Sequence, residues 1–164
     1  MLVPMNDTEL REANIAIVRR YIDAINAWDF DTKRTLLAAD AVFEMPYAPE
    51  GFERRIVGRD EIIAFVETIP AMIDAENLHD VQLETYNSDP GEIVAEYKSD
   101  MVIKPHGVPY RNEYVSRCTV RDGRIARFAE YYDPIRLVIA LGGSVSSAGL
   151  DDGQKSVDDG VGRI

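Results

Sequence analysis

Cysteine is almost missing from this chain of 164 residues: Cys118 is the only one. One thiol cannot close an internal disulfide, so no oxidative framework is implied and a reducing compartment is the expectation. Positive charge is also scarce. Against 29 Asp and Glu stand 18 Lys and Arg, a formal charge of −11. That balance argues against nucleic acid or an anionic membrane as a partner, since both select clustered Lys and Arg. Long apolar runs are absent. Leu137-Val-Ile-Ala-Leu141 is among the longest, far short of the ~20 residues that span a bilayer. Met1 to Asp7 lack the basic region and apolar stretch of a secretion signal, so a cytoplasmic domain is expected. His79 and His106 are the only histidines, and no metal-ligand spacing surrounds them. There is no Gly-rich phosphate loop and no nucleophile elbow.

The length fits one domain, long enough to bury roughly two-thirds of its unfolded surface. Residues 6–28 read as a first helix, with Asn6 and Glu9 spaced as a capping box and Ile15, Val18, Ile22 and Ile25 at helical intervals. Asp29 or Asp31 caps a short second helix through Leu37. Ala41–Met45 is a short strand, 47–57 a loop, and Gly58 opens a third helix that Pro70 ends or kinks. After Asn77 the pattern alternates. Strands are predicted at 78–87, 92–104, 111–121 and 124–133, with turns at 88–91 and at Asp122-Gly123. Pro134 starts a last helix, stopped by Gly142-Gly143. Residues 143–164 have little to bury and read as a disordered tail. Helices followed by a run of antiparallel strands make an α+β fold, with helices on one face of a curved sheet.

This order, with Val18-Arg-Arg-Tyr-Ile-Asp-Ala-Ile-Asn-Ala-Trp-Asp29, Leu36-Leu-Ala-Ala-Asp-Ala-Val-Phe-Glu-Met-Pro46, Gly58-Arg-Asp-Glu-Ile62 and Phe128-Ala-Glu-Tyr-Tyr-Asp-Pro134, resembles the nuclear transport factor 2-like cone. Within it the chain is most similar to the SnoaL-like and ketosteroid-isomerase-related group, and its ending, Tyr132 to Gly143, to the phenazine-biosynthesis A/B proteins. The resemblance covers about residues 7–142. It implies a curled sheet around an apolar pocket, chemistry by a few polar groups without metal or cofactor, a small apolar organic ligand, and a homodimer through the outer face of the sheet.

Glu130 is the leading candidate for chemistry. By the two-residue period it shares a face with Ala126, Phe128 and Tyr132, and an apolar setting raises a carboxyl toward the range useful to a general acid or base. A rim glutamate paired with Arg127 or Arg136 fits the same pattern. Lys98 and Asp100 share a face with Val94, Glu96 and Val102, while Ile93, Ala95, Tyr97, Met101 and Ile103 make the other, more apolar face. Composition therefore points Lys98 and Asp100 to solvent. The resemblance points them inward, because the limonene-epoxide-hydrolase branch has an arginine and an aspartate at the matching positions, bridging to the carboxylate matched by Glu130.

On the next strand Asn112, Tyr114, Ser116, Cys118 and Val120 share the inward face. Tyr114 and Ser116 can donate to a substrate oxygen, or simply pack. Tyr21 matches the oxyanion-binding tyrosine of ketosteroid isomerases, but Met45 stands where that family has its aspartate, so steroid isomerisation itself is not implied. Trp28, Phe30, Tyr47, Phe65, Ile69 and Met72 read as cavity lining, as a plain core also would. The expectation is a cofactor-independent acid/base enzyme acting on an apolar cyclic or carbonyl substrate by isomerisation, cyclisation, condensation or dehydration. The alternatives are epoxide hydrolysis and a non-catalytic ligand-binding module.

Overall fold

In the computed structural model, residues 5–146 are described. Helix α1, Asp7–Asn26, begins at a formed capping box, with the Asn6 side chain accepting from the Glu9 backbone and Glu9 reaching back. Its inward stripe is Asn14, Val18, Tyr21 and Ile22. The chain then turns through Trp28, whose φ of 54° is a left-handed conformation that a bulky side chain seldom adopts. Asp29 caps α2, Phe30–Leu36, by accepting from the Thr32 backbone. Strand β1 follows at once, Leu37–Glu44, then β2, Arg55–Val57, and α3, Arg59–Val66, with Gly58 at φ 100° as its N-cap. Pro70 sits in a one-turn 3-10 helix, Ile69–Ala71, which finishes the helical part.

The remaining strands are β3, Leu78–Tyr86, β4, Asp89–Ile103, β5, Val108–Arg121, and β6, Arg124–Tyr132, followed by α4, Pro134–Ala140. The six strands form one sheet in the order β2-β1-β6-β5-β4-β3. β1 lies parallel to β6, so the sheet is mixed rather than purely antiparallel. Periodicity within β1 does not reveal this, because the pairing partner is set by the path of the chain through α3. Strand β2 is only three residues, Arg55-Ile-Val57, too short to carry an alternating signal; it falls in the predicted loop. The predicted turn at 88–91 is shifted. Asn87-Ser88 is the turn, and β4 starts at Asp89 opposite Tyr86. Gly91 explains why this stretch can be strand, since a Cβ there would lie 2.5 Å from the Val120 carbonyl oxygen. Asp122 and Gly123, at φ 50° and 71°, make the tight β5–β6 turn that the sequence calls for.

β4 and β5 alternate buried and exposed residues along nearly their whole length, and α1 packs across β3, β4 and β6. One face of the sheet therefore holds the core and the other meets solvent. On β6, a register shift opposite Thr119/Val120 turns Ala126 out of the alternation, and Phe128, Cys118 and Tyr21 lie in the core. No helix among the described residues is long and apolar enough to cross a membrane. The predicted tail lies mostly outside the described residues; Ser144 to Ser146 have no regular structure.

Candidate active site

A cavity of about 210 Å³ opens between the helical layer and the sheet. Phe65, Ile69, Met72 and Ile73 supply one side, from α3 and the 3-10 turn. Met101 and Ile103 of β4, with Tyr110 and Tyr114 of β5, supply the other. Glu130 and Tyr132 of β6 and Glu76, from the segment before β3, complete the wall. Of the residues named from the sequence, Phe65, Ile69, Met72, Tyr114, Tyr132 and Glu130 line this cavity.

Glu130 is held from behind. Register sets Ser116 opposite Glu130 and Tyr97 opposite Tyr114, so the inward side chains of three neighbouring strands meet. The Tyr97 hydroxyl donates to Oε1 of Glu130 at 2.7 Å. A phenol has one hydrogen, so Ser116 Oγ, 2.7 Å from the same phenolic oxygen, is the donor in the other bond. Glu130 is half-buried and borders the cavity. Burial raises its carboxyl above the ordinary value, and the Tyr97 hydrogen bond pulls less strongly the other way. Burial also pushes the Tyr97 and Tyr114 hydroxyls up, so both stay protonated.

Beside it runs a second hydroxyl set. The Tyr114 ring stacks on Tyr97 at 5.0 Å, and its hydroxyl lies 3.1 Å from Ser99 Oγ and donates to the Tyr110 hydroxyl at 3.4 Å. Asn112 Nδ2 also donates to Tyr110, at 2.8 Å. The Tyr110 oxygen thus accepts twice, while its own hydrogen has no acceptor among the described residues. Tyr110 lines the cavity, which makes it the free donor of the wall.

Other expected residues lie elsewhere. Lys98 and Asp100 are on the outer face. Lys98 pairs with Asp80 at 3.4 Å and Asp100 with Arg111 at 3.0 Å, with side chains 52% and 45% exposed. No relay from them to Glu130 is assembled. The alternation of β4 buries Tyr97 and the aliphatic residues, as composition alone indicated, and the resemblance misleads at these two positions. Tyr21 is buried against Phe128, ring centroids 5.3 Å apart, and neither borders the cavity. Ser116 lies behind Tyr97, and Trp28 packs at the α1–α2 junction. Tyr47 is exposed and meets Tyr131 edge-to-face, ring centroids 5.3 Å apart, beside a wider outer groove of about 780 Å³. Cys118 is buried, and burial pushes its thiol up, away from reactivity. Among the described residues no group of His, Cys, Asp and Glu gathers to hold a metal ion.

Two cavity groups, Tyr110 and Glu76, and the tyrosine behind Glu130 were not singled out from sequence. Tyr97 carries a usable signal, since it shares the apolar face of its strand. Tyr110 falls one residue before the predicted strand, yet two-residue steps back from Asn112 reach it. Glu76 sits in an aperiodic link, where no pattern reports direction.

The model of the SnoaL-like domain matches residues 18–128. The chain belongs to the SnoaL-like family. It is 34% identical over 128 residues to the uncharacterized protein YesE of Bacillus subtilis, covering 77% of this chain and 86% of that protein. It is 33% identical over 119 residues to the uncharacterized PhzA/B-like protein PA3332 of Pseudomonas aeruginosa, covering 72% and 82%. A solved structure named "Putative Isomerase from Bacillus subtilis" superposes with a TM-score of 0.76 at 30% identity, covering 87% of this chain and all of that one. SnoaL-like folds are shared more widely, at under 25% identity, with a Xanthomonas campestris protein named a "putative polyketide cyclase", TM-score 0.71, and an epoxide hydrolase of M. tuberculosis, TM-score 0.60. Those likenesses bear on the fold alone.

Proposed function

We propose that this SnoaL-like protein is an enzyme that moves a proton next to the carbonyl of a small, apolar, cyclic or ketonic substrate. The observation that carries the reading is Glu130: a carboxyl on the wall of an apolar cavity, tied from behind by Tyr97 at 2.7 Å and raised above its ordinary value by burial. A cavity below the roughly 300–1,000 Å³ of drug-sized sites suits a small molecule.

Ionised Glu130 removes a hydrogen from the carbon beside the carbonyl. The C–H pair becomes the new C=C bond, and the carbonyl π pair moves to oxygen. Tyr110, with its unclaimed hydrogen, donates to that oxygen as charge develops, and Tyr114 holds Tyr110 in place. Return of the proton from Glu130 to another carbon gives isomerisation. Loss of a β-hydroxyl as water gives dehydration, and attack of the enol on a second carbonyl gives cyclisation or condensation. The isomerase name carried by the Bacillus subtilis structure agrees with this class.

Epoxide hydrolysis needs Asp100 beside Glu130 to hold water, and Asp100 is instead paired with Arg111 on the outer face. A purely ligand-binding module does not call for a buried ionisable group on the wall. For the assembly, we favour two copies pairing through the outer sheet face, where Val115 and Tyr47 are 44% and 58% exposed; light scattering at the chain's monomer or dimer mass decides it.

The test of the function is exchange of α-hydrogens of small cyclic ketones in deuterated buffer, followed by NMR. Acceleration over buffer by the wild-type protein is expected. No acceleration with cyclohexanone, 2-cyclohexenone or 3-hydroxycyclohexanone overturns the proton-transfer reading.

A further inference from the structure

The cavity has a second carboxylate, Glu76, lining it together with Glu130, and α2 carries a buried cation that the fold gains nothing obvious by burying. Lys33 of α2 is 1% exposed. Its Nζ lies 4.7 Å from the ring centre of Phe30 and 5.9 Å from that of Trp28. No carboxylate among the described residues comes within ion-pairing distance of it. Burying a lysine without a contact partner costs several kcal/mol in general, and a neighbouring aromatic face returns only part of that. Trp28 adds its left-handed backbone to the same corner. Glu76 is the charge that most holds Lys33 protonated, and its segment is tied to the end of α1 because Asn26 bonds both the N–H and the carbonyl of Leu78, at 2.7 and 2.9 Å.

We propose that Glu76 and Glu130 form a proton-sharing pair on the one cavity, with Lys33 as the positioning charge that keeps a single proton between them. This rests on the proposed function for its chemical use, though not for its physical test. Four groups bear on Glu76 or its partner cation: Lys33 from α2, Glu130 from β6, Tyr21 from α1, and Asp29, which acts on Lys33. Burial first, then the like charge of Glu130, pushes the Glu76 carboxyl up to about 7, and Lys33 opposes them. Burial in turn lowers Lys33, with Glu76 holding it up.

The pair narrows the substrate class to ketones that lose one proton and need another in the same visit, of which β-hydroxy ketones are the simplest. The ionised member takes the α-hydrogen. The C–H pair becomes the C=C bond, the C–O bond to the hydroxyl breaks, and the protonated member gives its proton to that oxygen, which leaves as water. The pair ends with the one proton it began with, the two roles exchanged.

The experiment is a carbon-13 NMR titration of the glutamate carboxyls in the full chain, with the Glu76 signal identified by its loss in Glu76→Gln. The expected result is a Glu76 midpoint near neutrality that falls by about one unit or more in Glu130→Gln, rises in Lys33→Met and returns in Lys33→Arg. A Glu76 that titrates like an exposed glutamate, or ignores Glu130→Gln, overturns the pair. Glu130→Gln is near-isosteric and keeps the test open if Lys33→Met does not fold. If ketone exchange is intact while Glu76 is uncoupled, the pair fails and the function of Glu130 stands. If Glu76 is coupled but no ketone exchanges, the pair stands and the proposed function fails.

Discussion

The Tyr97 hydroxyl and the Glu130 carboxylate meet at 2.7 Å across three strands, with Ser116 donating to the same phenol. The bond exists because β4, β5 and β6 present Tyr97, Ser116 and Glu130 on one face in matched register. It favours the ionised carboxylate, and burial, the larger effect, disfavours it, so the two together raise the proton affinity of Glu130.

Glu130→Gln keeps the shape and removes the proton exchange. One general acid/base group contributes roughly 10²–10⁴-fold, and a fall of that size in ketone α-exchange or turnover is expected with little change in the unfolding midpoint. Unchanged rates would take Glu130 out of the chemistry.

Tyr110→Phe removes the unclaimed donor. Loss of one oxyanion donor costs about 10²–10³ in kcat, and the expected signature is a lower kcat with KM little changed. A change confined to KM would assign Tyr110 to ground-state binding instead.

Lys98→Met and Asp100→Asn act as controls on the outer face. Exposed pairs such as Lys98–Asp80 and Asp100–Arg111 contribute about 0–1 kcal/mol, so small stability effects and unaltered rates are expected. A large loss of activity in Asp100→Asn would return the water-holding relay to consideration.

These controls also show what the amino-acid pattern conveyed. Alternation in β5 placed Asn112, Tyr114, Ser116, Cys118 and Val120 inward, and all are buried. The Asn6–Glu9 spacing announced the first helix, and Asp122-Gly123 announced the last hairpin. Periodicity works there because each residue's environment is set by its own strand or helix. It does not work for Lys33, whose burial depends on α1 and on the Trp28 and Phe30 rings packed around it, nor for Glu76 in a link without a period. The parallel β1–β6 pair is likewise a property of chain path rather than of local pattern.

Glu76 makes stability depend on pH. Its folded value of about 7 lies above the ordinary 4.5, so its stabilising contribution is fully present below pH ~4.5 and is lost as pH rises through about 7. Glu76→Gln should flatten that decline, by roughly 1–3 kcal/mol across the window, as read from urea unfolding at pH 5 and pH 8. An identical pH dependence in the variant would show that Glu76 titrates alike folded and unfolded.

Asn26→Ala frees the segment that carries Glu76. Both backbone groups of Leu78 lose their partner, at a cost of about 1–3 kcal/mol, and hydrogen exchange should rise at residues 74–78 before it rises in β4.

The carbon-13 carboxyl midpoint of Glu130, in the wild type and in Tyr97→Phe, tests the central claim most directly. A midpoint above the ordinary glutamate value that moves higher still when the Tyr97 hydroxyl is removed is the expected result. A midpoint at the ordinary value, indifferent to Tyr97, would contradict it.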